Sequence, residues 1–330
     1  ITIATDMLTI DGVHTISSST SSDGTGGTVG IVADSITLEN GAEIRTRSGL
    51  IDEQTAELYV GTGDGGDIDI QANNEIVMTS GSSISASSLG DGLAGNISVT
   101  ASTLDMSGSS MTSEAEGTGN GGNISVVAAN TVNMVNDASI SASSLGDGTA
   151  GSISLDAGST LGMNSSSITS EAEGAGDGGD ISVVAASAIS MANASNISAS
   201  SLGDGLAGNI SIDAGKTFNM TDSSITTQAV VSDGGDITLV ATDMIYLNQS
   251  EITTSVESGV GGGGNIDIDP EFVILKQSNI LANAFGGPGG NINIVAGNFI
   301  ATPDSSVDAS SALGIDGTVN ISSPDETVSE

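Results

Sequence analysis

The chain repeats itself. Residues 85–99 read SASSLGDGLAGNISV, residues 141–153 read SASSLGDGTAGSI and residues 198–212 read SASSLGDGLAGNISI. Between them stand TSEAEGTGNGGNISVVAA from Thr112 and TSEAEGAGDGGDISVVAA from Thr169. The large period is about 56–57 residues and divides into two similar halves. Asp67, Asn96, Asn123, Ser152, Asp180, Asn209, Asp236, Asn265 and Asn291, each following a glycine-rich junction, lie 26 to 29 positions apart. Met78, Met106, Met134, Met163, Met191 and Met220 keep the same step, which predicts a structural column of like side chains in a core.

Each unit has one internal grammar. Asn123-Ile124-Ser125-Val126-Val127-Ala128 alternates, so Ile124, Val126 and Ala128 share a face. Val132 and Met134 follow two apart, and Ser139-Ile140-Ser141-Ala142 alternates again. Period two is the pattern of a half-buried strand, and no helical stripe competes with it. Three short strands per unit have no partner inside the unit. Their backbone groups are satisfied if each strand pairs, parallel and in register, with its equivalent in the next unit. The predicted fold is therefore all-β, a parallel β-helix (solenoid) of about eleven coils of ~28 residues, a rod ~50 Å long. A single coil is not self-sufficient. Ordering its backbone costs at least ~1 kcal/mol per residue, more than its few inward side chains return.

The units organise the chain as a first coil at 1–27, a longer coil at 28–66, regular coils with a two-coil superrepeat at 67–264, divergent final coils at 265–317, and a terminal strand with an acidic tail at 318–330. Pro270, Pro288, Pro303 and Pro324 all fall in the last quarter. The glycines of Gly178-Gly179-Asp180 and Gly262-Gly263-Gly264-Asn265 are expected to supply positive φ at corners. The Asn or Asp after them is expected to bond local backbone amides and to stack into ladders.

Composition narrows the function. Four Lys+Arg against 41 Asp+Glu give a net charge of −37, which excludes nucleic-acid binding by counterion release. With no Cys there is no disulfide, thiolate or Cys-based metal site. No apolar run approaches the ~20 residues of a membrane span, so no membrane insertion is expected. The start lacks a signal peptide, which reads as a mature or excised piece. Hydrophobic residues at 37% are too many for a disordered acidic chain.

Residues 263–294, GGNIDIDPEFVILKQSNILANAFGGPGGNINI, and SSALGIDGTVNISSPD at 310–325 closely resemble the distal region of filamentous-haemagglutinin-like two-partner-secretion exoproteins. The resemblance is specific in these last two coils and follows the repeat grammar over roughly 28–324. It implies a right-handed β-helix, export through an outer-membrane secretion partner, and adhesion, biofilm or matrix formation at a Gram-negative cell surface. The family's N-terminal secretion domain with its NPNG-type motif is not in these residues, which leaves the export route an inference from the family. Expected partners are an unidentified cell-surface or glycan receptor and the outer-membrane pore. A self-assembling filament or sheath subunit, joined end to end through the helix termini, is the competing expectation.

Catalytic chemistry is sparse. His14 is the single histidine, and Arg45, Arg47, Lys216 and Lys276 are the only cations. Polysaccharide-cleaving β-helices typically combine carboxylates with Arg or Lys and often an aromatic platform, and no such cluster is visible, so no enzyme is expected. Calcium is the better chemical candidate. Asp177 and Asp180 flank one Gly-Gly turn and Asp233 and Asp236 another, while Glu114/Glu116, Glu171/Glu173, and Asp91, Asp147 and Asp204 recur two coils apart. The nine-residue calcium repeat is missing, and a solvated acidic surface explains the same residues. The longer unit carries its excess around Arg45-Thr46-Arg47-Ser48 and Asp52 to Tyr59, a place for a specific contact or for a local hairpin or short helix closing over the core. Thr169, Thr226 and Thr253 make an outward row like that of an ice binder, interrupted by Ser85, Ser141 and Ser198.

Overall fold

The computed structural model describes residues 1–21, 23–51, 58–59 and 61–323. It is an all-β parallel solenoid. Eleven coils stack with a spacing of about 28 residues, and Val319–Ser322 opens a twelfth. An 18-stranded sheet holds the first two segments of every coil, and an 11-stranded sheet holds the third. In the third-segment sheet the step from coil to coil is 27 to 29 residues, except from Glu43 to Ser83, which spans the longer unit. A two-residue antiparallel pair, Leu50–Ile51 with Leu58–Tyr59, branches off there. The rest of that excursion, Asp52 to Glu57, and the tail from Pro324 lie outside the described residues.

Alternation builds the core directly. In the fifth coil Ile124, Val126, Ala128, Val132, Met134, Ala138, Ile140 and Ala142 are all buried. Register then stacks like on like: Ile124 pairs with Ile97 and Ile153, and Ile140 with Met111 and Ile168. Met78, Met106, Met134, Met163, Met191 and Met220 pair in unbroken succession, all buried, with Leu38 before them and Leu247 after. A side chain surrounded above and below by its own kind needs only one rotamer to repeat, so packing solved once is solved for every coil.

Two sequence expectations are corrected. The first and second segments are not separate strands in the first five coils, where single strands such as Ile97–Ser107 and Ile124–Val135 run through the corner. They separate from the sixth coil, Ile153–Asp156 and Thr160–Asn164, where Gly158 at φ +63° turns the chain and donates its N–H to Asp156 Oδ1. The junction glycines do not supply positive φ. Left-handed residues sit instead between the second and third segments, at Asn40, Ser80, Asn136, Ser165, Asn193, Asp222, Gln249 and Gln277. The junction needs glycine for room. A Cβ on Gly179, Gly208, Gly235 or Gly264 would stand 1.9–2.3 Å from a carbonyl oxygen of the preceding coil's junction.

Candidate functional site, an acidic ladder on a glycine lobe

After its third segment each coil forms a lobe and returns to close on itself: Gly95 N donates to Ala86 O, Gly151 N to Ala142 O and Gly208 N to Ala199 O. The lobe is filled by backbone rather than side chains, which is why glycine recurs in it. Single-residue parallel bridges carry the stacking here, from Thr20 through Ser48, Ser88, Ala115, Ser144, Ala172, Ser201 and Ala229 to Val256. Buried hydroxyls brace it: Ser113 and Ser170 donate to Gly95 O and Gly151 O at 2.5 Å, and Thr227 and Thr254 to Gly235 O and Gly264 O. Sequence reasoning missed these hydroxyls. Their signal was the swap of Ser113 and Ser170 for Ala86, Ala142 and Ala199 in alternate coils.

At the lobe's return, side-chain oxygens climb the rod. Asp67 Oδ1 accepts Asn96 N, Asn96 Oδ1 accepts Asn123 N, and Asn123 Oδ1 accepts Ser152 N. Asp180, Asn209, Asp236 and Asn265 continue the series to Asn291. The bonded amide belongs to the next coil, not to the local turn, which corrects the expectation of local bonding. A second ladder three residues earlier does the same: Asp177 Oδ1 accepts Leu206 N, and Asp233 Oδ1 accepts Gly262 N at 2.7 Å. All of these bonds tie coil to coil, and those accepted by Asp are charge-assisted.

The four calcium candidates are therefore ladder rungs. Asp180 and Asp236 are separated by Asn209. Asp233 and Asp236 line one hollow of about 350 Å³ with Val260 and Pro288. Among the described residues no group of three or more His, Cys, Asp or Glu is placed to hold a metal ion. Asp91 and Asp147 accept N–H groups of Thr118 and Ala175 in the neighbouring coils. Glu114 and Glu171 accept Ser141 and Ser198 hydroxyls, at 2.6 Å in the first case. Ser85, Ser141, Ser198 and Thr253 are buried and Thr169 and Thr226 half-buried, so the expected outward Thr/Ser row is not an open face.

The cations are scattered. Arg45 pairs with Glu43 at 3.0 Å and Arg47 with the same carboxylate at 3.9 Å, both beside the excursion. Lys216 and Lys276 are exposed near corners of the large sheet, and His14 is exposed between Thr2–Asp11 and Thr15–Ser17. Burial pushes the Glu116 carboxyl above its usual range, against the attraction of Arg47 and with the repulsion of Glu114. Hydrogen bonding, first from Thr302, holds Asp304 below it. No family model, curated protein or solved structure matches the chain.

Proposed function

We propose that this chain is a non-enzymatic rod working at or outside a Gram-negative cell surface, in adhesion, biofilm or extracellular matrix. One observation carries the reading: its polar groups recur coil after coil, in register, instead of converging on one place. A surface of that kind is suited to extended, multivalent contact, where weak sites add through number. The distal sequence resemblance supports export through an outer-membrane partner.

Beads coated with the chain test the adhesive role. They should attach to cells or glycan surfaces more strongly than beads carrying an equally acidic control protein; equal attachment overturns the proposal. Electron microscopy separates the rod from the assembling subunit, since single rods ~50 Å long favour adhesion and end-to-end fibres favour the filament.

A further inference from the structure

We propose that the lobes of the eighth to eleventh coils form a docking site for a basic protein surface, one that presents an Arg or Lys beside an apolar anchor. This inference does not depend on what the rod as a whole is for. Earlier lobes expose leucines, Leu93, Leu145, Leu202 and Leu206, beside their carboxylates, and here the exposed apolar side chains are densest. Val231, Phe285 and Leu313 are exposed, and Val260 and Ile315 are 85% and 81% exposed. Backbone bonds set these lobes one on the next: Leu313 N donates to Phe285 O, Gly289 N to Ile315 O, and Gly263 N to Pro288 O, which places Ile315 over Pro288. An apolar patch with a charged rim has the anatomy of an interface, not of a solvated edge.

The hollow of about 350 Å³ beside Val260 and Pro288 gives the patch its chemistry. Two carboxylates, Asp233 and Asp236, line it. Their Oδ1 atoms accept N–H groups of Gly262 and Asn265, which turns one oxygen of each toward the ladder and leaves Oδ2 for a ligand. An Arg or Lys fits such a place, its stem on Val260 and Pro288 and its head on the carboxylates. Glu257 and Asp316 add to an acidic rim, and residues 228–236, 255–265, 283–291 and 310–317 contain no cation. A second copy of this chain, at −37, is repelled, as is any nucleic acid.

Calorimetry with an alternating Arg–Leu peptide tests the site, against an Arg–Ser peptide of equal length and charge, at about 150 mM NaCl. The native chain should bind Arg–Leu at least about tenfold tighter than Arg–Ser. D233N/D236N keeps the ladder bonds, since Asn209 and Asn265 already make them, and should weaken Arg–Leu binding about tenfold. L313S/I315S should do the same from the apolar side. D156N/D213N, which removes two charges from another face, should change affinity less than about twofold. Equal binding of the two peptides, equal loss in D156N/D213N, or no binding at all overturns the proposal. So does a dimer in sedimentation velocity that L313S/I315S disperses, because a second copy would then own the patch.

Discussion

Adding one methyl group separates the two uses of glycine in this chain. On Gly208 it would stand 2.2 Å from Gly179 O, with backbone on either side and nothing free to move. On Gly81, at φ +78°, it would meet nothing within 4 Å. Gly208→Ala should therefore cost about 3 kcal/mol in urea unfolding, and Gly81→Ala about 1 kcal/mol. Ala194 already occupies the place equivalent to Gly81 at φ +62°. Gly81→Asn should recover most of the smaller loss and Gly208→Asn none of the larger. Glu116 gives a pH-dependent counterpart. Its raised folded-state value means that its charge is penalised, so the stability tied to it is full below about 4.5 and is lost as pH rises through that raised value. Glu116→Gln should raise the urea midpoint at pH 7, and the gain should vanish below pH 4.5. Removing Arg47 should push the Glu116 titration, followed by NMR, higher still.

Along a column of equivalent residues, charge is rationed. Asp156, Asp213 and Asp269 alternate with Val127, Val184, Val240 and Val295 on the outer face of the first segment, and their neighbours in register are Val at every described pairing. Among the described strand pairings a single one, Asp11 opposite Glu39, sets acid against acid. Two carboxylates one rung apart repel by about 0.9 kcal/mol in water; two rungs apart, near the Debye length, most of that is gone. The two-coil superrepeat thus keeps the carboxylates of this column two rungs apart in a chain of charge −37. Val184→Asp, which would join Asp156 to Asp213, should destabilise by about 1 kcal/mol in low salt relative to Val184→Asn, and 1 M NaCl should erase the difference. Coil number and strand face were legible in the sequence because period two and the 28-residue step both act through burial. The corners were not. Gln249 and Gln277 hold left-handed φ without any turn signal, and glycine composition does not distinguish a need for φ from a need for space. The ladders were visible as Asn and Asp at fixed places, but only the stacked coils reveal that their partners lie 26 to 29 residues onward.

For the molecule as a whole, stability resides in contacts between nearest coils. Deleting residues 124–180 removes one complete large repeat and rejoins equivalent positions. That protein should fold to a rod about 10 Å shorter with the same circular dichroism per residue. Deleting residues 153–180 alone removes a half-repeat and brings Asp147 beside Asp204. It should unfold at lower urea, with a midpoint that recovers as salt is raised. The same arrangement decides how the rod answers tension. Its rungs are hydrogen bonds lying along the axis, so traction on the two ends strains each interface head-on and in series, and the weakest gives way alone. Each coil released would pay out about 95 Å of slack, and the remainder, still stacked, would hold. A tether built this way yields in discrete lengths and absorbs work at every step, without breaking its covalent thread.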